Sequence, residues 1–369
     1  GLDPRQYKPR VERYSDAIGR GCRGLRIGIL REGFGRPESG ADVDRKSSDG
    51  NTPVIAAPMA GGTSTPAFVK AVHDAGGLGF LAAGYKSVAA MESEIRSARA
   101  SGARFGMNVF VPDAAQLPPS AAVRAQLEEY RARLRPDALR YGVEVPPMRL
   151  DDDDHWHGKI DALLADPVEL VSFAFGLPGS DVVRALQRAG STILATVTTV
   201  AEAREAAGQG VDALVVQHAG AGGHSAAFQP GARGHNDSPP GTTAELVTLV
   251  RSAVGLPLVA AGGVMDRAGL EAVLAAGAQA AQLGTAFLRT DESGARQLHK
   301  DALASPRFTE TRLTMAFTGR PARALVNEFV RDHPDAPEAY PAVHHLTAPL
   351  RAAAGSSAPA GARVPGRQA

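Results

Sequence analysis

Eight short apolar runs recur along residues 53–283, and most are separated by amphipathic stretches. They read PVIAA (53–57), LGFLA (78–82), RFGMNVF (104–110), ELVSFAF (169–175), TILATV (192–197), ALVV (213–216), PLVAA (257–261) and AQAAQL (278–283). Short runs with little polar alternation, rich in Val, Ile, Leu and Phe, have the pattern of strands covered on both faces. Between them, helical periodicity is expected over 65–75, 87–100, 181–189, 200–208, 242–253 and 266–275, with Ser87 placed to cap the second of these helices. Strands alternating with helices require a parallel sheet, because each crossover returns the chain to the same end. Eight such units over about 250 residues fit a closed (β/α)8 barrel better than an open doubly wound sheet.

One insertion breaks the rhythm after the third run, over residues 112–166. It holds a charged helix-like stretch (121–134), proline-rich irregular sequence, and DDDDHWHGKIDALL (151–164). Four aspartates before His155 and His157 invite a metal-site reading. The stronger reading places them at the N-cap and first turn of a helix, facing its positive end, with Ile160, Leu163 and Leu164 as the apolar stripe. Beyond Glu292 the chain is read as helical in character, including FTGRPARALVNEF (317–329). The resulting organisation is an extension over 1–50, a barrel domain over 51–345, and a tail over 346–369. The tail is rich in Ala, Gly, Pro and Ser and expected to be disordered. Within the extension LRIGIL (25–30) can form a short strand, and 38–51 reads as linker.

Charge excludes some partners. Forty Lys and Arg against 39 Asp and Glu leave a net charge of +1. That balance gives no case for nucleic-acid binding or a polybasic membrane surface. Cys22 is the single cysteine, so neither a disulfide framework nor a thiolate metal cluster is available, and no metal is expected. No apolar run approaches membrane-spanning length and the polar N-terminus does not read as a signal peptide, so a cytoplasmic monomer or homodimer is expected.

In such a barrel the working residues lie at the C-terminal ends of the strands. The unusual residues of this chain fall there. Pro58, Met59, Ala60, Gly61 and Gly62 follow the first strand, and Asn108 ends the third. Gln217 follows the sixth strand, and the turn AGAGGH carries Gly220, Gly222, Gly223 and His224. Gly262 and Gly263 follow the seventh; Gln282, Leu283, Gly284 and Thr285 mark the end of the eighth. Glycine loops after strands seven and eight commonly hold phosphate through backbone N–H groups. The set points to a phosphate-bearing ligand whose flat ring reaches the barrel mouth. His224 is then placed for proton transfer on a bound molecule. His218, His235, His344 and His345 have no comparable context and read as structural or exposed.

These motifs carry a resemblance. PVIAAPMAGG, GGLGFLAAGY, FGMNVF, VSFAFGLP, VVQHAGAGGH, VAAGGV, AAQLGTAFL and TGRPARALVNEF, in this order over residues 53–329, resemble the class I nitronate monooxygenases, formerly 2-nitropropane dioxygenases. The resemblance implies a TIM barrel holding FMN without a covalent bond. By motif, Asn108, Gln217, Gly222, Gly223, Gly262, Gly263 and 282–285 would contact the flavin, and the Pro58–Gly62 loop would lie against its ring. His224 matches the family's active-site histidine, the proposed base for neutral nitroalkanes. The implied reaction is oxidation of an alkyl nitronate by O2 to a carbonyl compound and nitrite. One departure stands out: Gly220 occupies the place of the usual glutamate, which puts substrate preference in doubt more than flavin binding. His218 is also atypical, since a glycine is common there. Two alternatives remain open: an FMN-dependent enoyl-acyl-carrier-protein reductase using NAD(P)H, and a flavin- or phosphate-binding barrel with little catalysis. Separately, GLDPRQ, GLRIGILREGF and ADVD within 1–50 resemble a connecting segment of amidase-signature hydrolases. No Ser-Ser-Lys core follows, so amidase activity is not implied.

Overall fold

All eight runs form strands: β1 (Thr52–Ala56), β2 (Leu78–Ala82), β3 (Phe105–Phe110), β4 (Leu170–Ala174), β5 (Thr192–Val197), β6 (Ala213–Gln217), β7 (Leu258–Ala261) and β8 (Ala280–Leu283). The structure is a computed structural model that describes residues 27–28, 52–113, 117–228 and 241–355. Every neighbouring pair of these strands is parallel. The sheet closes because β1 pairs with both β2 and β8. A closed eight-stranded parallel barrel with flanking helices is a (β/α)8 TIM barrel. A two-residue strand, Ile27–Gly28, also pairs with β1. It lies inside the 25–30 run; the rest of the amidase-like stretch falls outside the described residues.

Short-range signals start the helices. Thr65 accepts from Phe68 N (3.0 Å) before Pro66–Asp74, and Ser87 accepts from Ala90 N (3.3 Å) before Val88–Ala100. Thr242 and Glu245 form a reciprocal capping box at Thr243–Ala253. Asp266 accepts from Gly269 N (2.8 Å) at the start of Arg267–Ala275. Each such cap stabilises its helix by about 1 kcal/mol.

The strands separate two apolar layers by their alternation of faces. Ile55, Phe80, Leu170, Leu194, Val215 and Val259 fill the barrel interior. Val54, Ala56, Leu81, Leu214, Val216 and Leu258 point outward into the layer shared with the helices. Gly106 makes room inside: a Cβ there would stand 2.2 Å from Phe80 Cε1.

The chain divides into two compact units: residues 1–113 with 153–295, which carry the barrel, and 114–152 with 296–369. The second unit gathers the helices Ala121–Arg133, Arg135–Tyr141 and Ala342–Ala354 with an antiparallel pair, β9 (Thr311–Thr314) and β10 (Ala322–Leu325). Leu127, Tyr130, Leu134, Val343 and Leu346 form its core. Tyr130 Oη donates to Ala316 O at 2.7 Å, and burial raises the pKa of its phenol.

Three local expectations need correction. Residues 317–329 do not form one helix: β10 interrupts them, before a short helix at Glu328–Asp332. Pro321 disfavours helical backbone at Arg320, and the pairing with β9 is a longer-range contact than helical periodicity can signal. The proline-rich part of the insertion contains a helix, Arg135–Tyr141, whose proline sits in the first turn, where its missing N–H costs nothing. The tail read from 346 is helical to Ala354; residues 356–369 lie outside the described residues.

The aspartate run is also used differently. The helix Trp156–Ala165 starts at His155, in the left-handed region, with no side-chain cap bond and no acidic residue in its first turn. The carboxylates go elsewhere: Asp152 Oδ2 meets His345 Nε2 (2.6 Å), Asp153 Oδ1 accepts from His155 N (3.0 Å), and Asp154 pairs with Lys159. Among the described residues no three or more His, Cys, Asp or Glu side chains are grouped to hold a metal ion. None of the described helices is long and apolar enough to cross a membrane.

Candidate functional site

The C-terminal rim of the barrel brings four of the marked loops together. After β1, the Ser64 hydroxyl accepts from Met59 N (2.9 Å) and donates to Ala57 O (3.4 Å), fixing the turn that holds Pro58 to Gly62. This loop reaches the β8 loop, since a Cβ on Gly284 would lie 3.9 Å from Met59 Sδ. After β6, the turn closes with Ala221 N donating to His218 O (2.9 Å). It packs on the β7 loop so closely that a Cβ on Gly262 would stand 2.7 Å from His218 O. Gly262 also has φ +102°, a conformation that glycine adopts without strain. Gly222 approaches the β8 loop, where a Cβ would be 2.7 Å from Thr285 Oγ1. By contrast, Gly61, Gly62 and Gly223 have positive φ, and a Cβ on any of them would meet nothing within 4 Å. The space where their side chains would project is open.

Several marked residues are engaged within the fold. Asn108 is buried within β3, two residues before its end, with Nδ2 donating to Ser172 Oγ (2.9 Å) and Ser172 O (3.2 Å) on β4. Leu283 turns its side chain into the outer apolar layer, and its carbonyl accepts from Ala57 N (2.8 Å). Any ligand contact by Leu283 is therefore limited to the remaining backbone. Gln282 alternates with Leu283 on β8 and is half-buried, so its side chain belongs to the opposite face.

Gln217 acts as a clamp on the next loop. Its Nε2 donates to His224 O (3.2 Å) and its Oε1 accepts from Ala226 N (2.8 Å), so one amide grips the backbone on both sides of Ser225. Further along, Phe228 N donates to Glu202 Oε1 (3.0 Å). Glu202 is fully buried, and its Oε2 accepts from Thr198 N (2.6 Å) and Thr198 Oγ1 (2.8 Å). The imidazole of His224 is half-buried and meets the Phe175 ring edge-on, 5.6 Å between centroids and 72° between planes. Gly220 N donates to His218 Nδ1 (3.1 Å), which puts the proton of a neutral His218 on Nε2. In the second unit His344 and His345 are tied to Arg351 and Asp152; His235 lies outside the described residues.

Sequence reasoning passed over Ser64, Phe175, Thr198 and Glu202. Glu202 had a local signal, an acid in the first turn of the helix Val200–Gln209. Its bond to Phe228, 26 positions away, had none.

The fold and this rim define a (β/α)8-barrel enzyme with its glycine loops and polar side chains gathered at the C-terminal ends of the strands. The nitronate monooxygenase family model matches residues 46–364, and the chain belongs to that family, an oxidoreductase. Probable nitronate monooxygenases from Staphylococcus aureus strains MSSA476 and Newman are 35% identical over 307 residues, covering 82% of this chain and 84% of theirs. A solved nitroalkane oxidase from Streptomyces ansochromogenes is 48% identical with a TM-score of 0.77, covering 83% of this chain and 86% of its own. FabK from Thermotoga maritima, 24% identical with a TM-score of 0.56 over 76% of this chain and 73% of its own, shares the fold.

Proposed function

We propose that this chain oxidises alkyl nitronates with O2, using bound FMN, to a carbonyl compound and nitrite, and that it accepts neutral nitroalkanes through His224. The observation that carries the reading is His224 at the barrel rim, next to Gly223, where a Cβ would meet nothing within 4 Å. The FMN assignment rests on the glycine loops of this rim. FMN needs a gap along bare backbone for its ring and N–H donors for its phosphate. Gly61, Gly62 and Gly223 are assigned to the ring's surroundings, since a Cβ on any of them would meet nothing within 4 Å. The Gly262–Gly263 turn and the Gly284–Thr285 turn stand where phosphate is usually held in this fold. Asn108, Gln217, Gly222 and Gln282 complete the assigned surroundings, with Pro58, Met59 and Ala60 on the ring side. When bound, the flavin supplies the electron chemistry that O2 oxidation of a nitronate requires.

The chain's own residues then have separate tasks. Neutral His224 removes the α-proton of a nitroalkane; as imidazolium it faces the nitro oxygens of a nitronate and offsets their charge. Gln217 and Glu202 hold the backbone that carries it. Phe175 meets the imidazole edge-on and limits the orientations open to it. With glycine at position 220 no carboxylate follows His218, and the backbone N–H there turns to His218 instead.

The test is direct. The purified protein, reconstituted with FMN, is expected to show a flavin absorbance band. It should consume O2 and release nitrite with ethylnitronate or propionate 3-nitronate in the absence of NAD(P)H. Failure to bind FMN overturns the reading. NAD(P)H oxidation that requires an enoyl thioester would replace it with the reductase alternative.

A further inference from the structure

We propose that Phe175, Tyr85 and the ion pair of Asp154 with the buried Lys159 are positioning residues for His224, an inference that rests on the histidine acting as the base. Four described non-glycine residues hold left-handed backbone: Tyr85 (φ 68°), Asp154 (56°), His155 (57°) and Phe175 (75°). Such residues are uncommon, and they persist where the surrounding structure over-determines them. Three of them, Tyr85, Asp154 and Phe175, lie on one line of contacts leading to the imidazole, and His155 adjoins Asp154 in the chain.

The line starts at Lys159, whose side chain has no exposure at all. Its Nζ stands 2.7 Å from Asp154 Oδ2 and donates to Ala83 O at 3.0 Å. Asp154 Oδ1 accepts from Tyr85 N at 2.9 Å. The pair therefore grips the loop after β2 on both sides of Gly84. That loop rests on an aromatic ring, because a Cβ on Gly84 would be 2.1 Å from Phe110 Cε2. The Tyr85 ring stands edge-on to Phe110 (5.6 Å, 72°), Phe110 lies tilted on Phe175 (4.3 Å, 34°), and Phe175 meets His224 edge-on. An ammonium taken out of water is costly unless paired, and an apolar side chain would fill the same volume more cheaply. What the ion pair adds is direction: two charge-assisted bonds that fix the 83–85 loop. Rings in a packed interior transmit that constraint, since they have little room to shift.

Two perturbations test the line at opposite ends, in the full chain reconstituted with FMN. Phe175→Leu removes the ring against the imidazole; Lys159→Met with Asp154→Asn removes the pair without leaving a lone charge. Proton removal is needed for nitroethane and not for ethylnitronate. Both variants are expected to lose nitroethane turnover by about tenfold to a hundredfold more than ethylnitronate turnover, the scale on which small misplacements of a catalytic group act. A second readout needs no activity. The 1H–13C ring signal of His224, identified by its loss in His224→Asn, should move in both variants as the ring current and orientation change. Equal losses on the two substrates, or an unmoved His224 signal in Phe175→Leu, would overturn the proposal. If the unaltered protein oxidises neither substrate, the function above fails, while the ring signal still decides whether these residues position the histidine.

Discussion

Replacing Glu202 by alanine tests how the loop carrying His224 is held. Glu202 is fully buried and accepts from Thr198 N at 2.6 Å, Thr198 Oγ1 at 2.8 Å and Phe228 N at 3.0 Å. The Thr198 hydroxyl can rotate to another partner. The two backbone N–H groups lose the acceptor that the structure gives them. An unsatisfied buried donor costs about 1–3 kcal/mol, so the pair costs about 2–5 kcal/mol, allowing for partial hydration of Phe228. Against a total stability of about 5–15 kcal/mol, that is a large share. At about 2 °C per kcal/mol for a chain of this size, the midpoint should fall by about 4–10 °C, read by circular dichroism. Glu202→Gln keeps one oxygen to accept for one of the two N–H groups and should lose about half as much. A Glu202→Ala midpoint within 1 °C of the parent, or a Gln variant as damaged as Ala, would refute the reasoning.

His224→Asn should retain bound flavin and lose nitroethane turnover by about 10²–10⁴-fold, the usual contribution of a general base; O2 uptake measures the rate and the visible spectrum the flavin. Gly222→Ala sets a Cβ 2.7 Å from Thr285 Oγ1 and should lower the flavin-to-protein absorbance ratio while leaving the far-ultraviolet circular dichroism unchanged. Burial raises the Tyr130 pKa above its ordinary value, so its contribution to stability is complete below about pH 10 and is lost as pH rises through and beyond that value. Thermal midpoints at pH 8 and pH 11 should therefore diverge less in Tyr130→Phe than in the parent.

The barrel and much of its rim follow from local pattern. A buried parallel strand is a short apolar run, and a capped helix announces itself within four residues, as Thr65, Thr242 and Asp266 do. Eight such units in order leave few ways to close a sheet, and the loops after β1, β6, β7 and β8 then face one end. What pattern could not supply is which side chains those loops lean on. Asp151 to Asp154 carry helix-start chemistry by composition, yet Asp154 is spent on Lys159 and Tyr85, the latter 69 positions away. Lys159 reads as a solvated charge until the fold buries it; Phe175 reads as core until its left-handed backbone turns it against His224. The resemblance marks Gln217 as a flavin contact, but only packing shows that both ends of its amide also hold the histidine's own loop. Periodicity and capping are short-range and survive in the linear chain. Burial, ion pairing and ring contacts arise only when distant segments meet, and those are what hold the imidazole in its place.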